Sequence, residues 1–322
     1  MNKVVIAFLP MVLFAGIVLP GDSCQDKPAG SLHTEQLDGP YVLYQGDKVF
    51  VKYILDAHGT KTVKSDSMAL AQKGDISLTV LTDEPGKPFT VKLKSQLQNE
   101  ETEFPDVKKQ FIVSDIEGNF RAFRKLLQAN KIIDENLNWT FGDGHLALTG
   151  DFVDRGEQQT EVLWLIYSLE EKAKAAGGYV HYVLGNHEIM NMNGDLRYLH
   201  QKYKDHAVLL NEKFVALYGE NSELGRWLRT KNVLEKVGDI LFCHGGISQA
   251  VNRMNFPTSK INRLVRPYYA DSTYKYDTPE TDTLYSDLGP FWYRGYYTGT
   301  VKASISQVDS TLSAYKVNHI AT

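Results

Sequence analysis

Leu148-Thr-Gly-Asp-Phe-Val-Asp-Arg-Gly156 reads as an apolar strand end that breaks at Gly150 and delivers Asp151, Asp154 and Arg155 into a tight turn. Two carboxylates and a guanidinium packed so closely would be costly unless a divalent cation and an anion sat among them. The turn therefore predicts a site for metal and phosphate. Two other stretches repeat the pattern. Phe111-Ile-Val-Ser-Asp-Ile-Glu-Gly118 runs apolar and ends in Asp115, Glu117 and Gly118, and Tyr179-Val-His-Tyr-Val-Leu-Gly-Asn-His-Glu188 ends in Asn186, His187 and Glu188.

The 322-residue chain is 43% hydrophobic and 23% charged, the balance of a globular protein with a sizeable core. A formal net charge of -4, with no basic run or basic helix face, excludes nucleic acid as the expected main partner. There are two cysteines, and Cys243 lies inside an apolar run, so no disulfide framework is expected.

Lys3, an apolar stretch over residues 4–19 and then Pro20-Gly-Asp-Ser-Cys24 read as a signal or lipoprotein segment over residues 1–24. The mature protein is thus expected outside the cytoplasm, in the periplasm of a bacterium or attached to the outer membrane through its N-terminus. Cys24 stands where a lipidated cysteine would stand, although Gly21-Asp22-Ser23 departs from the usual lead. Simple cleavage and an uncleaved anchor are the alternatives.

Residues 31–101 carry short β-rich runs, among them Tyr41-Val-Leu-Tyr44 and Val49-Phe-Val-Lys-Tyr-Ile-Leu55, broken by glycine-containing turns. They predict a small antiparallel β domain with a structural or docking role, followed by a linker over residues 99–106. From residue 107 to 322 the order becomes strand, loop, helix. Asn119 caps a predicted helix reaching about Gln128, and residues 158–176 carry a second. Asp239-Ile-Leu-Phe-Cys-His-Gly-Gly246 adds a fourth strand with a polar end. Such alternation predicts a layered α/β domain whose site collects at the carboxyl ends of the strands. There Asp115, Asp151, Asn186 and His244 each offer a metal-binding atom, and Asp151 can bridge two cations, so a two-metal hydrolase site is expected.

The ordered set Ser114-Asp-Ile-Glu-Gly118, Gly150-Asp-Phe-Val-Asp-Arg-Gly156, Gly185-Asn-His-Glu188 and His244-Gly-Gly246 resembles the calcineurin-like metallophosphoesterases. It is most similar to their phosphoprotein phosphatase branch and its bacterial Shewanella-like members, which Gly289-Pro-Phe-Trp-Tyr-Arg-Gly-Tyr296 also resembles. The resemblance implies a metallophosphoesterase-type β sandwich flanked by helices and hydrolysis of phosphomonoesters, of proteins or small molecules. It implies that Asp115 and Asp151 hold the first metal, and Asp151, Asn186 and His244 the second. It further implies that His187 is the general acid oriented by Asp154, and that Arg155, Arg294 and Asn186 bind phosphate. Taken singly, His187 reads equally as a core histidine, Arg155 as a surface ion pair and Arg294 as a cation on an aromatic ring.

Two departures from the family pattern stand out. Glu117 replaces a histidine at the first metal; as an oxygen ligand it favours Mn2+ or Mg2+ over Fe2+ or Zn2+. The family's last metal histidine, in a Gly-His-Thr-like motif, is not seen before the chain stops at Thr322, which implies truncation. His319 comes a few residues early, within a strand-like run, where a structural role is the better reading. The competing expectations are a weakened, phosphate-binding protein and a phosphodiesterase or dinucleotide polyphosphate hydrolase.

Overall fold

A computed structural model of the chain describes residues 34–297 and 302–322. The expected signal segment, with Cys24, lies outside the described residues. Among the described residues no helix is long and apolar enough to cross a membrane.

Three strands open the described chain, β1 (Thr34–Gln45), β2 (Lys48–Ala57) and β3 (Thr60–Ala69), and form an antiparallel sheet in that order. A hairpin of β4 (Ser77–Val80) and β5 (Phe89–Lys92) follows. These are the expected antiparallel strands, with β3 in addition. Thr60–Ala69 is exposed along nearly its whole length, so it lacks the apolar alternation that marks a half-buried strand. The inner residues of this region, Tyr41, Leu43, Val49 and Ile54, join the same core as Trp164 and Trp227. Thr34–Thr322 is accordingly one compact unit.

Two sheets make the sandwich. β7 (Gln110–Val113), β8 (His145–Leu148) and β9 (Tyr179–Tyr182) are parallel, in that order. β6 (Glu103–Phe104), β10 (Leu234–Val237), β11 (Ile240–Cys243) and β12 (His319–Ala321) form the second sheet, in which β10 and β11 are antiparallel. The stretch read as a linker supplies β6, which pairs with β10 in parallel. A two-residue strand has no periodicity of its own and is held by its partner. Ala147, Val183, Val237 and Phe242 pack between the sheets, while Leu146 and Leu148 turn to the helix side. β8 is thus buried on both faces, which is why it reads as a continuous apolar run.

The helix α1 (Phe120–Ala129) begins where Asn119 accepts a hydrogen bond from the Ala122 N–H at 3.0 Å, as its sequence predicts. The second helix, α2 (Gln159–Ala175), is buried around most of its circumference, because the parallel sheet lies on one side and β1 on another. Trp164 in α2 donates its indole N–H to the Pro40 carbonyl at 2.9 Å and so pins β1 to it. The shorter α3 (Asn186–Asn193), α4 (Gln201–Leu209) and α5 (Glu223–Leu228) follow β9.

Candidate metal and phosphate site

Register brings the site together. Val113 pairs with Leu148 and Leu148 with Tyr182, so the three parallel strands end at one level and their polar continuations share one edge. Gly150 has φ +95°, and a Cβ there would lie 2.6 Å from the Gly185 Cα. A Cβ on Gly185 would lie 2.2 Å from Asp151 Oδ1. Both positions must therefore be glycine for the Asp151 carboxylate to stand between the two loops. Asp115, Glu117, Asp151, Asp154 and Arg155 all adopt left-handed backbone, with φ between 51° and 68°. Each such residue costs about 1 kcal/mol or more, so something must hold the turns.

Glu188 does so. Its carboxylate, fully buried, accepts from the N–H groups of Asp151 (2.9 Å), Phe152 (2.7 Å) and Gly185 (2.7 Å) and from the Tyr182 hydroxyl (2.9 Å). Hydrogen bonds to a charged group contribute roughly 1.5–3 kcal/mol each, enough to offset the backbone strain. Burial, and then the charge of Asp151, push the Glu188 carboxyl up.

Asp115, Asp151 and His244 present ligand atoms that all lie within 4.8 Å of one another. His244 donates from Nδ1 to the Thr149 carbonyl at 2.8 Å, which turns Nε2 toward Asp151 Oδ2 at 3.0 Å. Burial opposes charge on both groups, but their mutual bond outweighs it: Asp151 is held below the ordinary carboxylate range and His244 is raised. The set of two carboxylates and an oriented imidazole fits a divalent cation, since the ring nitrogen that would ligate is the one left free by the backbone bond.

Asn186 lies at the head of α3, and its Oδ1 accepts from Arg294 Nη2 at 3.1 Å. Arg294 also contacts the Phe291 and Tyr293 carbonyls, both at 3.3 Å, so it faces the site from the segment that follows Tyr285. Arg155 is ion-paired with Glu117, and the Glu117 carboxylate is engaged there. His319, in β12, is largely exposed and sits 3.9 Å from Asp239, apart from the donor cluster.

His187 donates from Nδ1 to Asp154 Oδ2 at 2.7 Å, and its backbone N–H donates to Asp151 Oδ1 at 3.0 Å. Asp154 is fully buried and held on two more sides, by Asn191 Nδ2 at 2.7 Å and by its own N–H on Gln159 Oε1 at 3.1 Å. Burial disfavours the imidazolium, but the Asp154 bond and the charge of Asp151 prevail and raise His187 above its ordinary value. His187 Nε2, 3.8 Å from Asp151 Oδ2, faces the carboxylates of the donor cluster.

Residues 109–320 match the family described as calcineurin-like phosphoesterase. The chain belongs to that family.

Among solved structures, this calcineurin-like phosphoesterase is similar to the cold-active protein-tyrosine phosphatase of a psychrophilic Shewanella species. The two are 36% identical with a TM-score of 0.77, over 88% of this chain and 83% of that one. It is 34% identical to Shewanella-like protein phosphatase 2 of Arabidopsis thaliana over 33% of this chain and 27% of that protein. It is also 34% identical to a symmetrical bis(5'-nucleosyl)-tetraphosphatase of Legionella pneumophila over 43% of this chain and 44% of that one. The chain spans less than two thirds of the length of these two sequence relatives. The expected family, its Shewanella-like branch and the sandwich fold are all borne out. A calcineurin-like phosphoesterase uses divalent metal, and the donor cluster lies where the sequence motifs converge.

Several residues that shape this phosphoesterase site carry no motif reading of their own. Gln159 and Asn191 look like ordinary polar helix positions, yet both are buried and both fix Asp154. Glu188 had a legible cue, for it stands at the third helical position after Gly185, where a glutamate reaches back to the cap N–H. Tyr198 is a further case: its carbonyl accepts the Arg155 N–H at 2.9 Å and its ring lies against His187. The segment that carries Arg294 follows α6 (Gln249–Met254), α7 (Thr258–Val265) and α8 (Pro279–Tyr285), and α9 (Ile305–Tyr315) closes the domain before β12.

Proposed function

We propose that this chain is a divalent-metal-dependent phosphomonoesterase whose substrates are phosphoproteins. The observation that carries the reading is the buried Asp154–His187 pair set beside the Asp115, Asp151 and His244 donor cluster. Asp115, Asp151 and His244 would hold the metal, with Asn186 as a further ligand; Glu117 would join them only by leaving Arg155. When bound, the ions supply Lewis acidity toward the phosphoryl group and lower the pKa of a water. Arg155 and Arg294 bind the phosphoryl oxygens. A water adds to phosphorus, the bond to the leaving oxygen breaks, and His187 Nε2 gives that oxygen its proton while Asp154 stabilises the imidazolium it starts from.

The oxygen-rich donor set favours Mn2+. Phosphoproteins are favoured because the similar Shewanella protein is a protein-tyrosine phosphatase and the Arabidopsis relative is named a protein phosphatase. A second reading, cleavage of dinucleotide polyphosphates, draws on the name of the Legionella relative. Comparing p-nitrophenyl phosphate, bis(p-nitrophenyl) phosphate and a dinucleoside tetraphosphate, with chelator and then Mn2+, tests both. Metal-dependent turnover of the monoester well above the other two is the expected result. A preference for the tetraphosphate would replace the reading with the second one.

The segment over residues 1–24 supports an extracytoplasmic location. Cell fractionation checks it: recovery of the full-length chain in the cytoplasm alone would overturn that location.

A further inference from the structure

We infer that the chain carries a second phosphate-binding site, away from the metal centre, in a hollow between α5 and the turn that holds Lys73. The hollow has a volume of about 420 Å3 and is lined by Lys73, Leu97, Asn99, Arg226, Arg229 and Thr230, with Glu220 the one acid on its wall among the described residues. None of these belongs to the donor cluster or holds Asp154. Lys73 pairs with Glu223, and Glu223 accepts from the Tyr167 hydroxyl at 2.6 Å. Tyr167 stands about two turns along α2 from Gln159, roughly 12 Å at 1.5 Å per residue, so the hollow lies well down that helix from the catalytic end. The site goes beyond the phosphomonoesterase reading and does not depend on it.

Charge argues for an anion. Lys73 is spent on the fully buried Glu223, which it meets at 3.1 Å. Arg226 lies over the Tyr44 ring, 3.9 Å from its centroid, and donates from Nε to the Glu220 carbonyl at 2.6 Å. Arg229 donates from Nη1 to the Tyr218 and Gly225 carbonyls at 2.7 and 2.8 Å. Such bonds are ordinary for arginines at a helix C-terminus. They leave both Nη atoms of Arg226 and Nη2 of Arg229 without a partner among the described residues. A cation drawn into the protein with no anion beside it is costly. Burial accordingly holds Arg229 below its ordinary value, and the charge of Glu220 offsets this only in part. Two planar guanidinium groups lining one hollow match the oxygens of a tetrahedral dianion. Past Leu97, Asn99 and Thr230 the hollow opens into a trough of about 810 Å3 beside β5 and α2. The phosphate therefore has room to enter free or carried on a peptide segment lying in the trough.

Inorganic phosphate titrated into the full chain in chelator, followed by calorimetry, tests the site without turnover, so the result stands whether or not the chain hydrolyses phosphate esters. The double variant Arg155→Gln/Arg294→Gln lacks the phosphate contacts proposed at the metal centre and is expected still to bind one phosphate. Adding Arg226→Gln to it should weaken that binding by about ten- to a hundredfold, the loss of a charge-assisted hydrogen bond. Arg229→Gln should act likewise, with a thermal melt beside it because Arg229 also holds two carbonyls. If Arg229→Gln unfolds, Arg226→Gln decides, since it gives up one hydrogen bond alone. No phosphate bound by Arg155→Gln/Arg294→Gln, or binding that Arg226→Gln leaves unchanged, would overturn the inference. A phosphoserine peptide and its unphosphorylated twin, titrated into the same double variant, identify the source. Binding of the phosphopeptide tighter than free phosphate, and lost with Arg226→Gln, upholds the site as one for a phosphorylated segment. Equal or weaker binding of the phosphopeptide upholds it as one for free phosphate.

Discussion

Asp154 receives the His187 Nδ1–H across 2.7 Å while itself sealed from solvent by Asn191 and Gln159. The imidazole is thereby fixed in one tautomer and one orientation, and its proton is held more firmly than that of a free histidine.

His187→Asn should therefore lower kcat by about 10²- to 10⁴-fold on an alkyl phosphate and by far less on p-nitrophenyl phosphate, whose leaving group departs without a proton. Steady-state rates on the two substrates check this. Equal losses would show that His187 holds structure and donates no proton.

Asp151→Asn should abolish metal-dependent turnover, because Asp151 meets both Asp115 and His244 in the donor cluster. The fold should persist, since asparagine keeps the oxygen that accepts the His187 backbone N–H. Metal content by mass spectrometry, alongside a thermal melt, decides the matter. Full metal occupancy with normal turnover would remove Asp151 from the site.

Glu117 holds Arg155 in an ion pair, and as a metal ligand it would have to let go. Exposed pairs of this kind contribute about 0.2–1 kcal/mol, so Glu117→Ala should free Arg155 and lower KM for phosphate esters by about two- to fivefold, with metal content unchanged. A fall in bound metal instead, or a shift toward Zn2+ in Glu117→His, would assign Glu117 to the first metal.

Glu161 sits in α2 with Oε2 buried and without a partner, and its carboxyl is pushed up to about 8, first by burial and then by the charge of Asp38. An acid whose folded pKa is raised binds its proton more tightly in the folded state. Its favourable contribution is present below its ordinary value of 4.5 and is lost as pH rises from there to about 8. Glu161→Gln removes that titration, so its stability gain over wild type should grow across this window to on the order of 2 kcal/mol at the upper end. Urea unfolding at several pH values measures the gain; a constant difference between the two proteins would refute the assignment.

How much of this could be read in the sequence depended on what each element buries. β7, β8 and β9 announced themselves, because apolar runs that stop at Ser114, Gly150 and Gly185 have few other readings. β3 was hidden because both its faces are wet, and β6 because it exists only through β10, far along the chain. The donor residues stood at strand ends and were visible as a set. The residues that hold them were not, since Gln159 and Asn191 owe their importance to burial that arises only when α2 and α3 meet over Asp154. The Glu117–Arg155 pair was hidden for a related reason: it needs two separate turns in left-handed backbone to face one another.

The grip of Glu188 on the Asp151 turn and on the head of α3 has a consequence for how the protein matures. Because that scaffold is completed by peptide N–H groups and a tyrosine hydroxyl, the coordination shell is built before any ion arrives. Unlike small domains that fold only around their metal, this chain is expected to hold its fold when stripped of metal and to take an ion up again afterwards. Apoprotein refolded in chelator and supplied with one metal at a time should then recover a different specific activity with each, highest with Mn2+.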